Sequence, residues 1–185
     1  DEFKINFSTS SEISYEILPS PHFTIKNAKI YNDDMDLPKE LSEIKELKVY
    51  VYQNNFFNKE KLKIKRISIM NANFNLQKND FNFLDNLFNN KFSKKKMIIK
   101  KSNIFFKDND NEIVAIFKIS KGSLFYDSED LSNAILFKGE AFNVPFNFKM
   151  IKDPSVTGNT ITEIKAKKLK IKFINKSKKI STEVT

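Results

Sequence analysis

A slip in the apolar beat constrains this chain more than any other feature. In "LKIKRISI", Leu62 and Ile64 alternate with lysines, as one buried face of a strand requires. The next apolar residues are Ile67 and Ile69, so the period has moved by one. In a regular strand the second pair would point to the opposite face. Written as apolar-x-apolar-x-x-apolar-x-apolar, the pattern recurs. "FTIKNAKI" carries it on Phe23, Ile25, Ala28 and Ile30, and "SEIKELKV" on Ile44, Leu47 and Val49, with Ser42 in the first slot. "MIIKKSNI" uses Met97, Ile99 and Ile104, with Ser102 in the third slot; "FKISKGSL" uses Phe117, Ile119 and Leu124, with Gly122 there. "IKAKKLKI" fits through Ile164, Ala166, Leu169 and Ile171. Loose templates match by chance in an apolar-rich chain, and that reading stays open. Spacings of two, three and two do not trace a helical stripe. A β-bulge does account for them: it adds one residue, keeps both apolar pairs on one face, and bends the strand.

The remaining segments predict more strands. "ISYEIL" (Ile13 to Leu18) stops before Pro19 and Pro21, "LKVYVYQ" and "NANFNLQ" alternate, and the latter sets Phe74 and Leu76 on one face. "AILFKGEAF" and "VPFNFKM" supply two more, with Phe146 and Phe148 alternating. "DNDNE" (Asp108 to Glu112) and "DSED" (Asp127 to Asp130) read as turns, and "DPSVTGNT" as the most loop-like stretch. One helix is expected over Asp80 to Lys91, capped by Asn79 or Asp80, with Phe81, Leu84 and Phe88 on one face and Leu87 beside them. A second short helical turn is expected near Leu37 to Ile44, after Pro38. The organisation predicted is one domain over residues 1–176 and a frayed tail over 177–185. A helix of about a dozen residues spans only ~18 Å, too little to cover a sheet of about ten strands. The sheet must then close on itself, pack on a partner, or hold an apolar ligand. The fold class expected is mainly β: a strongly curved, bulged antiparallel sheet, a gutter or half-barrel, with one or two short helices.

Composition excludes more than it assigns. Only 3 glycines occur in 185 residues, which argues against Gly-rich phosphate loops, and there is no Cys for thiol or disulfide chemistry. A net charge of +9 raises nucleic acid or an anionic membrane as partners. However, Arg66 is the only Arg, and abundant Lys beside Asn, Ile and Phe matches an A+T-rich coding sequence. Nucleic-acid readers lean on bidentate Arg, so solvated lysine faces are expected and nucleic acid is not. His22 is the only histidine, and its place after a proline pair predicts a structural or surface role. "DNDNE" lacks the sixth-position Gly and bidentate Glu of a calcium loop. No enzyme activity, metal or cofactor is therefore predicted. No apolar run approaches the ~20 residues of a membrane-spanning helix. The opening "DEFKINFSTS" has neither Met nor a signal peptide, as if a leader or membrane anchor preceded it.

The segments "YEILPSPHFTIKNAKIYN" and "ELSEIKELKVYVYQNNFFNKEKLKIKRISIMNANFNL" resemble the N-terminal region of the AsmA family of bacterial envelope proteins. The matching parts are Pro19–Ile30, Ile44–Val51, the connector Asn54–Asn58 and Leu62–Leu76, followed by the expected helix and "MIIKKSNIFFKDNDNE". The resemblance implies a periplasmic module anchored in the inner membrane by an N-terminal helix. It also implies kinship with the chorein-type bridge-like lipid transfer proteins, whose β gutters hold phospholipid on an apolar inner wall. Face alternation alone then nominates the lipid-contacting residues: Ile64, Ile67, Ile69, Phe74, Ile99, Ile104, Phe117, Ile119, Leu124, Leu169 and Ile171. The partners expected are phospholipid, the inner membrane and other envelope proteins. The alternative is an envelope assembly factor for outer-membrane protein biogenesis, with a filled β core and edges that pair with clients.

Overall fold

The alternating segments form strands, and the strands join into one open sheet. In a computed structural model, residues 7–9, 12–32, 39–52, 63–154 and 158–178 are described. Leu62 and the Asn54–Asn58 connector lie outside them, as do Leu37, Pro38 and residues 179–185. The elements are β1 (Phe7–Thr9), β2 (Ile13–Glu16), β3 (His22–Asn32), β4 (Lys39–Val51), β5 (Ile64–Gln77) and α1 (Phe81–Asn89). There follow β6 (Met97–Lys107), β7 (Ile113–Asp127), β8 (Ser132–Ala141), β9 (Val144–Lys152), β10 (Asn159–Ala166) and β11 (Ile171–Lys178). Spatial order follows chain order, with β1 and β2 sharing the outer edge of β3.

The sheet is mixed rather than wholly antiparallel, because β5 and β6 run parallel. The chain between them, residues 78–96, contains α1, and a parallel neighbour needs such a crossover of a dozen or more residues. Residues 39–44 belong to β4, not to a helical turn; the alternation of Ser42, Ile44 and Leu47 decides for strand. At its far end the sheet continues through Ser177 and Lys178, paired with Thr160 and Asn159, two residues beyond the expected boundary.

The slip is structural. Asn27 in β3, Lys45 in β4, Asn71 in β5, Lys101 in β6 and Ser120 in β7 all drop out of the pairing between flanking residues that remain in register. Five adjacent strands thus carry their extra residue at the same level, and the sheet kinks along one line. Three of these residues, Asn27, Asn71 and Lys101, adopt left-handed backbone, with φ of 52°, 53° and 49°. β8 alternates without a slip, and the register shifts by one between β7 and β8 where Ser120 has no counterpart.

Four of the template matches, in β3, β4, β6 and β7, lie on this seam. The match containing Ile64, Ile67 and Ile69 is a separate bulge, at Lys65, where the β4–β5 register shifts. The β5 member of the seam is Ile67, Ile69, Ala72 and Phe74, which the template search did not pick out. Ile164 to Ile171 is no bent strand: the chain reverses there through a 3-10 turn at Lys167–Leu169, and Ala166 pairs with Ile171.

Because the slip preserves facing, one side of the sheet is apolar from edge to edge. A single cross-strand row runs Ile13, Ile25, Leu47, Ile69, Ile99, Gly122, Phe137, Phe148, Ile164 and Phe173. This is the concave side, on which the main core forms around Ile44, Leu47, Ile69, Ala72, Met97, Ile99 and Ile119.

Candidate apolar binding site

Helix α1 lies over the concave face between β5 and β9. It is shorter than the expected Asp80 to Lys91. Leu84, Leu87 and Phe88 face the sheet, whereas Phe81 is half exposed and packs on Phe106. Asp80 is fully buried, and its carboxylate accepts from the Gln77 N–H and the Lys39 ammonium, both at 2.7 Å, instead of capping α1. At the other end Asn133 of β8 ties the helix down. Its amide donates to the Phe88 and Asn90 carbonyls at 3.0 and 2.8 Å, and its oxygen accepts from the Phe92 N–H at 2.9 Å. Phe92, Tyr126 and Ile135 form a second core beneath.

Nine helical residues cannot fill a trough this wide, and a cleft of ≈260 Å³ remains between α1 and the sheet. Every residue lining it is Ile, Leu, Phe or Met. Its walls come from both sides of the seam, Ile69 and Ile99 before the kink and Phe74, Ile104 and Ile119 beyond it. The two halves of each bent strand therefore face the same space.

Of the nominated residues, Ile69, Phe74, Ile99, Ile104, Ile119 and Leu124 line the cleft. Ile64 and Ile67 belong to the adjoining core. Phe117 lies on the same face but packs edge-on to Phe146, with ring centres 6.3 Å apart. Leu169 and Ile171, nominated from the chance match, are more than half exposed at the β10–β11 reversal and take no part. Among the lining residues that were not nominated are Met97, Ile135, Phe137, Phe148 and Met150, together with Leu84, Leu87 and Phe88 of α1. Met97 opens the slipped "MIIKKSNI"; the others are carried by plain alternation in "AILFKGEAF" and "VPFNFKM" and by the amphipathic helix, none of which contains a slip.

Beside the cleft, and sharing Phe88 and Met150 with it, is a polar pocket of ≈340 Å³ that includes Asp85, Lys152, Thr160, Ser177 and Lys178. Lys152 reaches across it to Asp85 of α1 at 2.7 Å. An apolar cleft opening beside a charged one suits an amphiphile, with a hydrocarbon tail in the first and a head group at the second.

Groups associated with catalysis lie elsewhere. His22 is fully buried on the convex side, where its Nδ1 donates to the Ser20 carbonyl at 2.8 Å and its ring stacks on Tyr50. Glu16, His22, Tyr50 and Arg66 form one cross-strand row, with the guanidinium 4.0 Å over the Tyr50 ring. In "DNDNE", Asp108 accepts the N–H groups of Asp110 and Glu112, so its carboxylate closes the turn. Among the described residues no three acidic, His or Cys side chains are placed to hold a metal ion. No helix among them is long and apolar enough to cross a membrane. In comparisons with known proteins, the chain matches no family model and no curated protein.

Proposed function

We propose that this domain binds a phospholipid, with an acyl chain in the cleft beneath α1 and the head group at the pocket beside Lys152. It acts as a periplasmic lipid-binding or lipid-transport module of an AsmA-like protein anchored in the inner membrane. The observation that carries this reading is the cleft itself: ≈260 Å³ walled only by hydrocarbon and thioether groups. That volume lies just below the ~300–1,000 Å³ of pockets for drug-sized ligands, and it suits one chain better than a whole diacyl lipid. Each methylene buried there contributes about 0.8 kcal/mol. The apolar row continues past the cleft onto Ile164 and Phe173, the latter 54% exposed, which extends the greasy surface toward the β11 edge. The assembly-factor reading draws on β11, an edge strand exposed along all its residues, but it calls for a filled interior.

The test is native mass spectrometry of gently purified protein, with extraction of bound lipid. A stoichiometric phospholipid is expected, and it should be lost when Leu87→Trp fills the cleft from the helix side while the circular dichroism spectrum is retained. Protein that is lipid-free as purified, and stays so after incubation with phospholipid vesicles, would overturn the proposal in favour of strand-edge recognition.

A further inference from the structure

The convex side carries a feature that composition does not explain. Lys100, Lys121, Lys138, Asn147, Lys165 and Lys172 are direct cross-strand neighbours from β6 to β11. Five of these six positions are lysine and none is acidic; beyond β6 the row continues through Met70 and Glu46 to Lys26, so the run of like charge is confined to β6 to β11. Like charges placed directly opposite destabilise a sheet, and excess lysine scattered over a surface would not stack in register. Among the described residues, Lys100, Lys121, Lys138 and Lys172 have no ion-pair partner. Lys149 and Lys167 join Lys121, Lys138 and Lys165 around a shallow depression of ≈580 Å³. Its one carboxylate, Glu163, is held below the usual range by a hydrogen bond from Lys165 and by the charges of Lys165, Lys172 and Lys149.

We propose that this convex face, from β6 to β11, docks on the surface of an anionic phospholipid bilayer. Charge complementarity sets the sign of the partner, and the side-chain types favour lipid over nucleic acid. The row contains no Arg for bidentate contacts. Neither it nor the adjacent row of Ile98, Ser123, Leu136, Lys149, Glu163 and Ile174 offers an aromatic ring for base stacking. Leu136 and Ile174 instead stand exposed among the lysines, where they can enter the head-group layer. Docking by this face does not involve the apolar cleft, so it stands or falls separately from lipid binding there.

The experiment is co-sedimentation of the whole chain with vesicles of phosphatidylcholine, with or without about one-third phosphatidylglycerol. Binding is expected only to the anionic vesicles and should be lost in high salt. Neutralising Lys121 and Lys138 to Gln should weaken it about 25-fold, roughly fivefold for each lysine removed from an anionic surface. A control with the same charge change elsewhere, Lys63→Gln with Lys94→Gln, should bind as the parent does. Equal binding to neutral vesicles would overturn the proposal, as would equal weakening in the control or no effect of the Lys121 and Lys138 changes. Displacement from vesicles by a DNA duplex at comparable or lower concentration would reassign the face to nucleic acid. Melting curves of both variants establish that each is folded.

Discussion

If α1 is a lid over the cleft, Asn133 is what fastens it. Helices end with carbonyls that have no partner within the helix, and the Asn133 amide takes two from this end, those of Phe88 and Asn90. Its oxygen holds the Phe92 N–H just beyond. The side chain is 1% exposed, so water cannot replace it. At about 0.5–1.5 kcal/mol net per hydrogen bond, Asn133→Ala should cost about 1.5–4.5 kcal/mol, toward the upper end because the groups left behind are buried. Asn133→Asp should be worse: it keeps the acceptor for Phe92 but turns a carboxylate toward two carbonyls. Urea denaturation measures the global loss. Hydrogen exchange measures the local one: about 3 kcal/mol lost from the lid alone accelerates exchange of α1 amides roughly 100-fold. An alanine variant costing under about 1 kcal/mol, with α1 exchange unchanged, would refute the argument and leave the helix held by Leu87 and Phe88 packing. An aspartate variant no less stable than the alanine one would refute the expected repulsion between a carboxylate and the Phe88 and Asn90 carbonyls.

Three further perturbations probe the seam and the sheet around it. Ser102→Ala should cost about 1–3 kcal/mol by chemical denaturation, because the buried hydroxyl accepts the Ala72 N–H at 3.1 Å where the ladder is interrupted. Gly139→Ala should cost about 2 kcal/mol or more, since a Cβ there would lie 2.2 Å from the Lys118 carbonyl oxygen and could be accommodated only by parting β7 from β8. Lys101→Gly should raise stability by about 0.5–1 kcal/mol, because a left-handed φ of 49° strains any side chain. The same change at neighbouring Lys100 should lower it, and thermal melts of the pair separate backbone strain from loss of a lysine.

The extent to which this structure was legible follows from what each segment encodes locally. The slip in β3, β4, β6 and β7 is written in four consecutive choices per strand, so bent strands and their facing could be read directly. The alignment of those bends could not, because it depends on register between strands far apart in sequence. Ser102 illustrates the difference. It looked like an imperfect apolar slot, and its role as a substitute ladder partner for Ala72 exists only once β5 and β6 are side by side. The parallel β5–β6 pair was implicit in a helix between two strands, yet apolar spacing is blind to strand direction. Leu169 and Ile171 failed for the opposite reason: two short strands and a 3-10 turn reproduce the template's spacing without its geometry. The lysine row is the clearest limit, since charge counts describe composition and only pairing reveals stacking.

The seam and the cleft are one device. A bulge in a single strand would be a local kink that its neighbours must absorb, but five at one level preserve register and bend the sheet as a unit. The bend leaves Lys101 strained and ladder positions empty, and it opens a space that nine helical residues do not fill. At ~24 cal/mol per Å³, side chains filling those ≈260 Å³ would have contributed at most about 6 kcal/mol, comparable to the whole stability of a domain this size. A trough built by coordinated bulges, roofed by one clamped helix and left unfilled, is better understood as a binding surface than as a core that failed to close.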